Sequence, residues 1–311
     1  MYKKRVLFVG IPDMAYVCLD GLVREGVNLV GVVGPKKNHN TYSAFKNYVL
    51  ERNLNFIEYD SLKDDTFLNT LKALEPDIAV VCSFNYKIPK VMLDIPKDGF
   101  VNVHPSLLPK YRGGNPYSAI IMNNEQESGV TLHLMDEGFD TGDILLQKSF
   151  KINKNETMGT LFNKTNFMGL DMLVEVLQNY ELGVLNRTKQ PEGDFPVGNG
   201  ISDEDLFIDF NKSPDEIERF VRALNPFLNA SCMFRGIHVK VYWVETAYDF
   251  KPHNYKNGTI TKIENNKIFI ACKGGFIIPT MLQFGSFFVC NSKKFIELIQ
   301  PTVGEEFIGK Y

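Results

Sequence analysis

The sequence predicts an α/β protein, a doubly wound and mostly parallel sheet followed by a smaller β-rich domain. Three observations carry this reading. In the first half, short apolar runs alternate with helix-periodic stretches, the pattern of βα units that build a parallel sheet. One of those runs, "DIAVVCSF", is apolar nearly throughout, as a strand covered on both faces must be. In the last third the pattern changes to short β-rich runs punctuated by "KNG" and "KGG" turns, which predict a small barrel or sandwich.

The elements follow in order. "RVLFVG" is a buried strand, and Gly10 with "IPD" turns the chain into a helix through about Glu25. "VNLVGVV" is the second strand, followed by a helix around Ser43 to Glu51. "NFIEYD" is the third, with the helix pattern of "DDTFLNTLKALE" behind it; "DIAVVCSF" and "GFVNVH" are the fourth and fifth. After "GVTLHLM" and "GDILLQKSF", a long helix-periodic segment runs from about Thr157 to Tyr180. Periodicity then fails in "KQPEGDFPVGNGISDED", rich in proline, glycine and acids. Residues 188–203 are therefore expected to link a domain of residues 1–187 to one of residues 204–311. The second domain opens with a helix, "SPDEIERFVRALNP", with Ser213 placed as N-cap and Pro226 just past the end.

A formal net charge of −3 argues against a general polyanion binder, and 44% hydrophobic residues against disorder. Cys18, Cys82, Cys232, Cys272 and Cys290 are dispersed with no CxxC pair. That pattern suits reduced thiols better than a disulfide frame or a zinc site. The apolar run at Val6–Gly10 is too short for a secretory or spanning segment. A cytoplasmic protein without membrane contact is expected.

"NVHPSLLPKYRG" at residues 102–113 is the most informative stretch. Residues two apart on a strand share a face, so Asn102 and His104 project together at the carboxyl end of the fifth strand. Pro105 and Pro109 end the strand and hold an extended exit. Sites in doubly wound sheets gather beyond that edge. Taken alone, His104 reads more readily as a core histidine at a strand end, and Asn102 as a turn or cap residue. Ser106 near His104 hints at a nucleophile, but no nucleophile elbow surrounds it. His39, His133, His238 and His253 lack metal-ligand spacing and read as structural or surface groups. The "GIPDMA" turn lacks the glycines of a dinucleotide loop.

"NVHPSLLPKYRG" followed by "SGVTLHLMDEGFDTGDILLQ" strongly resembles the folate-dependent formyltransferase family. Members act on methionyl-tRNA, on nucleotide-linked amino sugars or, more distantly, on glycinamide ribonucleotide. The resemblance covers about Val6 to Phe150, and "IDF…VRALNPF" resembles the start of the family's OB-like barrel domain. By matching motif it places a catalytic trio on Asn102, His104 and Asp140; Asp136, Glu137 and Asp143 are the competing acids. An amine attacking a formyl carbon creates an oxyanion, which an Asn102 amide N–H can stabilise by roughly 3 kcal/mol. His104 would donate to that oxyanion or relay the amine's proton. Asp140 would orient the imidazole and favour its charged form. The resemblance further implies N10-formyltetrahydrofolate as co-substrate, no metal, and a pterin slot drawing on Phe84, Asn85, Ile88, Leu107, Met135, Asp136 and Gly138. Core packing is the alternative reading of those apolar residues.

The acceptor is a separate question. The tRNA-acting members resemble one another in a long basic insertion after the second strand, whereas "GPKKNHNTYSAF" is short and holds two lysines. From Leu185 onward 15 Lys+Arg face 15 Asp+Glu, leaving no basic excess to neutralise phosphates. "YRGGNPYSAI" also departs from the "YRGAAP"-like run of those enzymes. Arg112, Gly113 and Asn115 are the expected acceptor contacts. These features favour a small amine, most plausibly a nucleotide-linked amino sugar, over methionyl-tRNA. A non-catalytic ligand-binding relative is the reading from outside enzymology, disfavoured because all three motif residues are present. A homodimer is compatible with the sequence.

Overall fold

Strand β1 (Val6–Gly10) is buried at every position, as its unbroken apolar run requires. Side chains alternate between its two faces: Val6 and Phe8 enter one apolar cluster, Leu7 and Val9 another. β4 (Ile78–Cys82) divides in the same way. The computed structural model describes residues 2–12, 14–248, 254–286 and 288–310. They form two compact units.

Unit 1 comprises Met1–Pro116, Glu127–Lys151 and Phe162–Val197. β2 (Leu29–Val33) and β3 (Phe56–Ile57) extend the sheet from one side of β1, all parallel. β4 and then β5 (Phe100–His104) extend it from the other, also parallel. Helices α1 (Met14–Arg24), α2 (Tyr42–Leu50), α3 (Asp65–Ala73) and α4 (Lys90–Leu93) occupy the crossovers. Asp64 caps α3 by accepting the Phe67 N–H at 3.0 Å. Helix α5 (Pro116–Met122) follows β5, then β6 (Glu127–Leu134) and β7 (Ile144–Lys151), both antiparallel. The strand order is β3-β2-β1-β4-β5-β6-β7. Helix α6 (Met158–Glu181) contributes Met172, Leu173, Val176 and Leu177 to the cluster of Val6 and Phe8. The sheet is thus doubly wound and mostly parallel, with an antiparallel edge.

Unit 2 comprises Tyr117–Gln126, Ile152–Leu161 and Gly198–Tyr311. Helix α7 (Pro214–Leu224) starts at a capping box between Ser213 and Glu216. β8 (Ala230–Phe234), β9 (Ile237–Tyr248), β10 (Ile260–Glu264), β11 (Lys267–Cys272) and β12 (Gly275–Phe284) follow. β13 (Phe288–Asn291), α8 (Ser292–Ile299) and β14 (Phe307–Ile308) complete the unit. The antiparallel order is β10-β11-β12-β9-β8-β14, with β13 on β12. A Thr259–Glu306 bridge, and an Ile260 N–H donating to the Glu305 carbonyl at 2.8 Å, bring the two ends together. The sheet therefore curls into a small barrel around Phe234, Phe295 and Phe307.

The units differ from the expected linear division. Residues 117–126 and 152–161 group with the second, and residues 188–197 of the expected linker group with the first. Backbone pairing explains the latter: Thr188 exchanges two hydrogen bonds with Ile144, and the Pro196 carbonyl accepts the Tyr111 N–H at 2.5 Å. Among the described residues no helix is long and apolar enough to cross a membrane.

Candidate active site

Three backbone segments of unit 1 converge on one carboxylate. β5 delivers Asn102 and His104 at its carboxyl end, β6 runs antiparallel beside it, and the turn between β6 and β7 carries Asp140. Asp140 Oδ1 lies 3.3 Å from Asn102 Nδ2, and Oδ2 lies 3.5 Å from His104 Nδ1. The Gly113 N–H donates to Oδ2 at 2.9 Å. Asp140 adopts φ 54° and Gly113 φ 106°, so both turns use the left-handed region that most side chains avoid.

His104 is almost fully buried, and its Nε2–H donates to the Tyr111 carbonyl at 2.8 Å. A carbonyl oxygen only accepts, so the neutral ring keeps its lone pair on Nδ1, facing Asp140. Burial holds the His104 pKa below its ordinary 6.5, outweighing the raising effect of Asp140. Asp140 does favour the charged form of His104, as expected, but burial is the larger effect. Burial would raise the Asp140 carboxyl, but His133, His104 and the Gly113 N–H outweigh it and hold the group well below the usual carboxylate range. Burial thus disfavours the charged imidazole, while the neighbours of Asp140 favour its carboxylate.

His133 is the residue the sequence reading missed. It is buried to 1% exposure and stands directly opposite Asn102 across the β5–β6 pair, where side chains on one face meet. Its Nδ1–H donates to the Leu134 carbonyl at 2.8 Å, and Nε2 lies 3.2 Å from the Asn102 amide nitrogen. Nε2 is also 3.4 Å from Asp140 Oδ1. Only the strand register reveals this pairing. His39 bonds locally to Thr41, and His238 packs edge-on against Phe207; His253 and Asp13 lie outside the described residues. Ser106 Oγ donates to the Lys110 carbonyl at 2.7 Å, a structural use of that hydroxyl.

The expected folate residues separate into four groups. Phe84, Ile88 and Met135 share one apolar cluster, and Lys87 Nζ sits 5.3 Å over the exposed Phe139 ring, joining the two loops. Asn85 is exposed on the first loop. Asp136 is occupied in shaping the second: its Oδ1 accepts the Gly138 N–H at 2.9 Å and the Thr141 hydroxyl at 2.6 Å. Leu107 stands apart, its Cδ2 filling the space that a Cβ on Gly129 would need, outside the cluster of Phe84, Ile88 and Met135. An open groove of about 730 Å³ runs past Met135, Asp136 and Gly138. An apolar cluster beside turn backbone and an open groove suits a flat heteroaromatic ring with an exposed tail.

Of the expected acceptor contacts, Arg112 donates through Nε and Nη2 to Gln190 Oε1, and Gly113 is held by Asp140. Asn115 is buried just before α5 and already has a partner. Among the described residues no group of three or more His, Cys, Asp or Glu could hold a metal ion.

Comparison with known proteins places this geometry. Residues 6–177 match the formyl transferase family, and residues 200–298 match the formyl transferase C-terminal domain. The methionyl-tRNA formyltransferase of Acetivibrio thermocellus is 33% identical over 288 residues, covering 91% of this chain and 92% of that protein. That of Clostridioides difficile is 35% identical over 285 residues, covering 90% and 92%. Among solved structures, an N-formyltransferase from Helicobacter canadensis, in complex with folinic acid and dTDP-3-aminofucose, shares the fold. Its TM-score is 0.68 at 23% identity, covering 90% of this chain and 99% of that one. With both parts of the family matched, the chain belongs to the formyl transferase family and is a folate-dependent formyltransferase.

Proposed function

We propose that the chain formylates the primary amine of a nucleotide-linked amino sugar by direct amine attack, with Asn102, His104 and Asp140 as the reacting groups. N10-formyltetrahydrofolate, when bound, supplies the activated formyl group. The observation that carries the chemistry is the placement of His104, with Nε2–H spent on the Tyr111 carbonyl and Nδ1 turned toward Asp140. As the amine nitrogen bonds to the formyl carbon, His104 takes the amine's proton at Nδ1 as general base. It returns the proton to N10 as the C–N10 bond breaks and tetrahydrofolate leaves. Asp140, ionised and 3.5 Å away, stabilises the imidazolium that forms. Asn102 holds its amide N–H groups in two long contacts, 3.2 and 3.3 Å. Redirecting one toward a developing oxyanion gives up little and gains roughly 3 kcal/mol. Phe84, Ile88, Met135 and the turn at Gly138 would hold the folate ring.

For the acceptor, the segment between β2 and α2 is short, with Lys36 and Lys37 its only lysines. The second half of the chain carries no basic excess. A fold neighbour complexed with dTDP-3-aminofucose is consistent with this reading. Formylation of methionyl-tRNA is the second reading, favoured by full-length identity of 33–35% to enzymes of that name. The test is purified enzyme with N10-formyltetrahydrofolate against a panel of nucleotide amino sugars and initiator methionyl-tRNA. Transfer to a sugar supports the proposal, and transfer to tRNA alone selects the second reading.

A further inference from the structure

Gln190 lies in the proline- and glycine-rich stretch whose composition reads as a linker, yet its side chain is at the active site. Nε2 donates to the carbonyls of Asp140 and Gly142, each at 2.8 Å. Oε1 accepts from Arg112 Nη2 at 2.6 Å and from Nε at 3.2 Å. Carbonyls only accept and a guanidinium only donates, so chemistry fixes which end of the amide is which. All four of its hydrogen-bonding positions are filled.

These bonds close a ring. Asp140 reaches Gly113 through its carboxylate, and Gly113 follows Arg112. Arg112 reaches Gln190, which returns to the backbone of Asp140. The carbonyls Gln190 holds belong to a turn under constraint: Asp140 is left-handed at φ 54°. Gly142 leaves no room to adjust, since a Cβ there would stand 1.8 Å from the Leu134 carbonyl. A non-glycine residue in that region persists only where its surroundings over-determine it.

We infer that Gln190 is a positioning residue, holding the Asp140 turn at its working distance from His104 and tying that turn to Arg112. Gln190 touches none of the reacting atoms and acts through Asp140. The inference rests on the reading of Asp140 as the working acid. His104 reports on it, because Asp140, His133 and Arg112 are the charged or titratable groups acting on its ring. Asp140 raises the affinity of His104 for a proton more than Arg112 lowers it. Slackening the turn therefore moves the His104 titration to lower pH.

The experiment uses the full chain carrying Gln190→Ala, Gln190→Glu or Asp140→Asn, with thermal unfolding as a fold check. Histidine NMR titration, assigned with His104→Asn, is read beside formyl transfer to dTDP-3-aminofucose and to initiator methionyl-tRNA. Gln190→Ala should lower kcat roughly 10- to 100-fold, the scale of a small misplacement of a reacting group, and shift the His104 midpoint downward. Gln190→Glu keeps an acceptor for Arg112 but sets an oxygen against two carbonyl oxygens. It should lose kcat as the alanine variant does while keeping the acceptor KM. If Gln190→Ala folds and leaves both kcat and the His104 midpoint unchanged while Asp140→Asn is crippled, the inference is overturned. If Asp140→Asn is itself unimpaired, the reading of the site fails instead.

Discussion

His104 Nδ1 lies 3.5 Å from Asp140 Oδ2, while the opposite nitrogen of the same ring is bonded to the Tyr111 carbonyl. The ring is thereby fixed at one nitrogen and faces the carboxylate with the other. In the proposed reaction Asp140 is the electrostatic partner of the proton that His104 takes up.

Asp140→Asn should preserve the shape of the turn and remove the charge that stabilises protonated His104. A fall in kcat of at least roughly 100-fold is expected, comparable to general acid–base contributions. Asp143→Asn should be mild, since no short contact joins the Asp143 side chain to His104 among the described residues. Steady-state kinetics on the two variants decide the matter, and the reverse ranking would move the working acid to Asp143.

The pH dependence follows from the same pair. His104 is depressed below 6.5 by burial, so its basic form persists under mildly acidic conditions. The acid limb of kcat/KM should therefore fall below the ordinary histidine range. Stability behaves alike: between pH 6.5 and the folded value the unfolded chain binds the extra proton. His104 thus costs stability as pH falls through that window. Asp140, depressed below 3.8, contributes stability above that value and loses it at lower pH. Urea unfolding of His104→Asn against the native chain checks this, and an unchanged difference between pH 7 and 5.5 would refute the sign.

His133→Met keeps a side chain of similar volume but removes the ring nitrogen that meets the Asn102 amide and Asp140. Turnover should fall roughly 10- to 100-fold, with the KM for the folate little changed. Kinetics equal to the native chain's would reduce His133 to a packing residue.

The parts of the fold that were legible are those written in local pattern. β4 reads as a two-sided strand because Ile78–Cys82 is apolar and fully buried, and α7 starts where Ser213 and Glu216 spell a capping box. The strand-end pairing of Asn102 and His104 was likewise readable from a spacing of two. What was illegible depends on register and return of the chain. His133 meets Asn102 only because β6 pairs antiparallel with β5 in one particular alignment. Gln190 reaches the Asp140 turn from a segment whose composition argues for a tether, held there by backbone bonds at Thr188 and Pro196. The lowered basicity of His104 follows from burial, which local sequence does not encode.

The most direct test of the account is the salt response of formyl transfer with each acceptor. A nucleotide sugar offers one or two phosphates, so its use should weaken only modestly between about 50 and 200 mM salt, whereas a tRNA engaging 6–10 phosphates should lose roughly 10³–10⁵-fold in affinity. The account predicts transfer to a nucleotide amino sugar with the shallow response, abolished in His104→Asn. Efficient and steeply salt-sensitive transfer to initiator methionyl-tRNA, with none to any sugar, would contradict it.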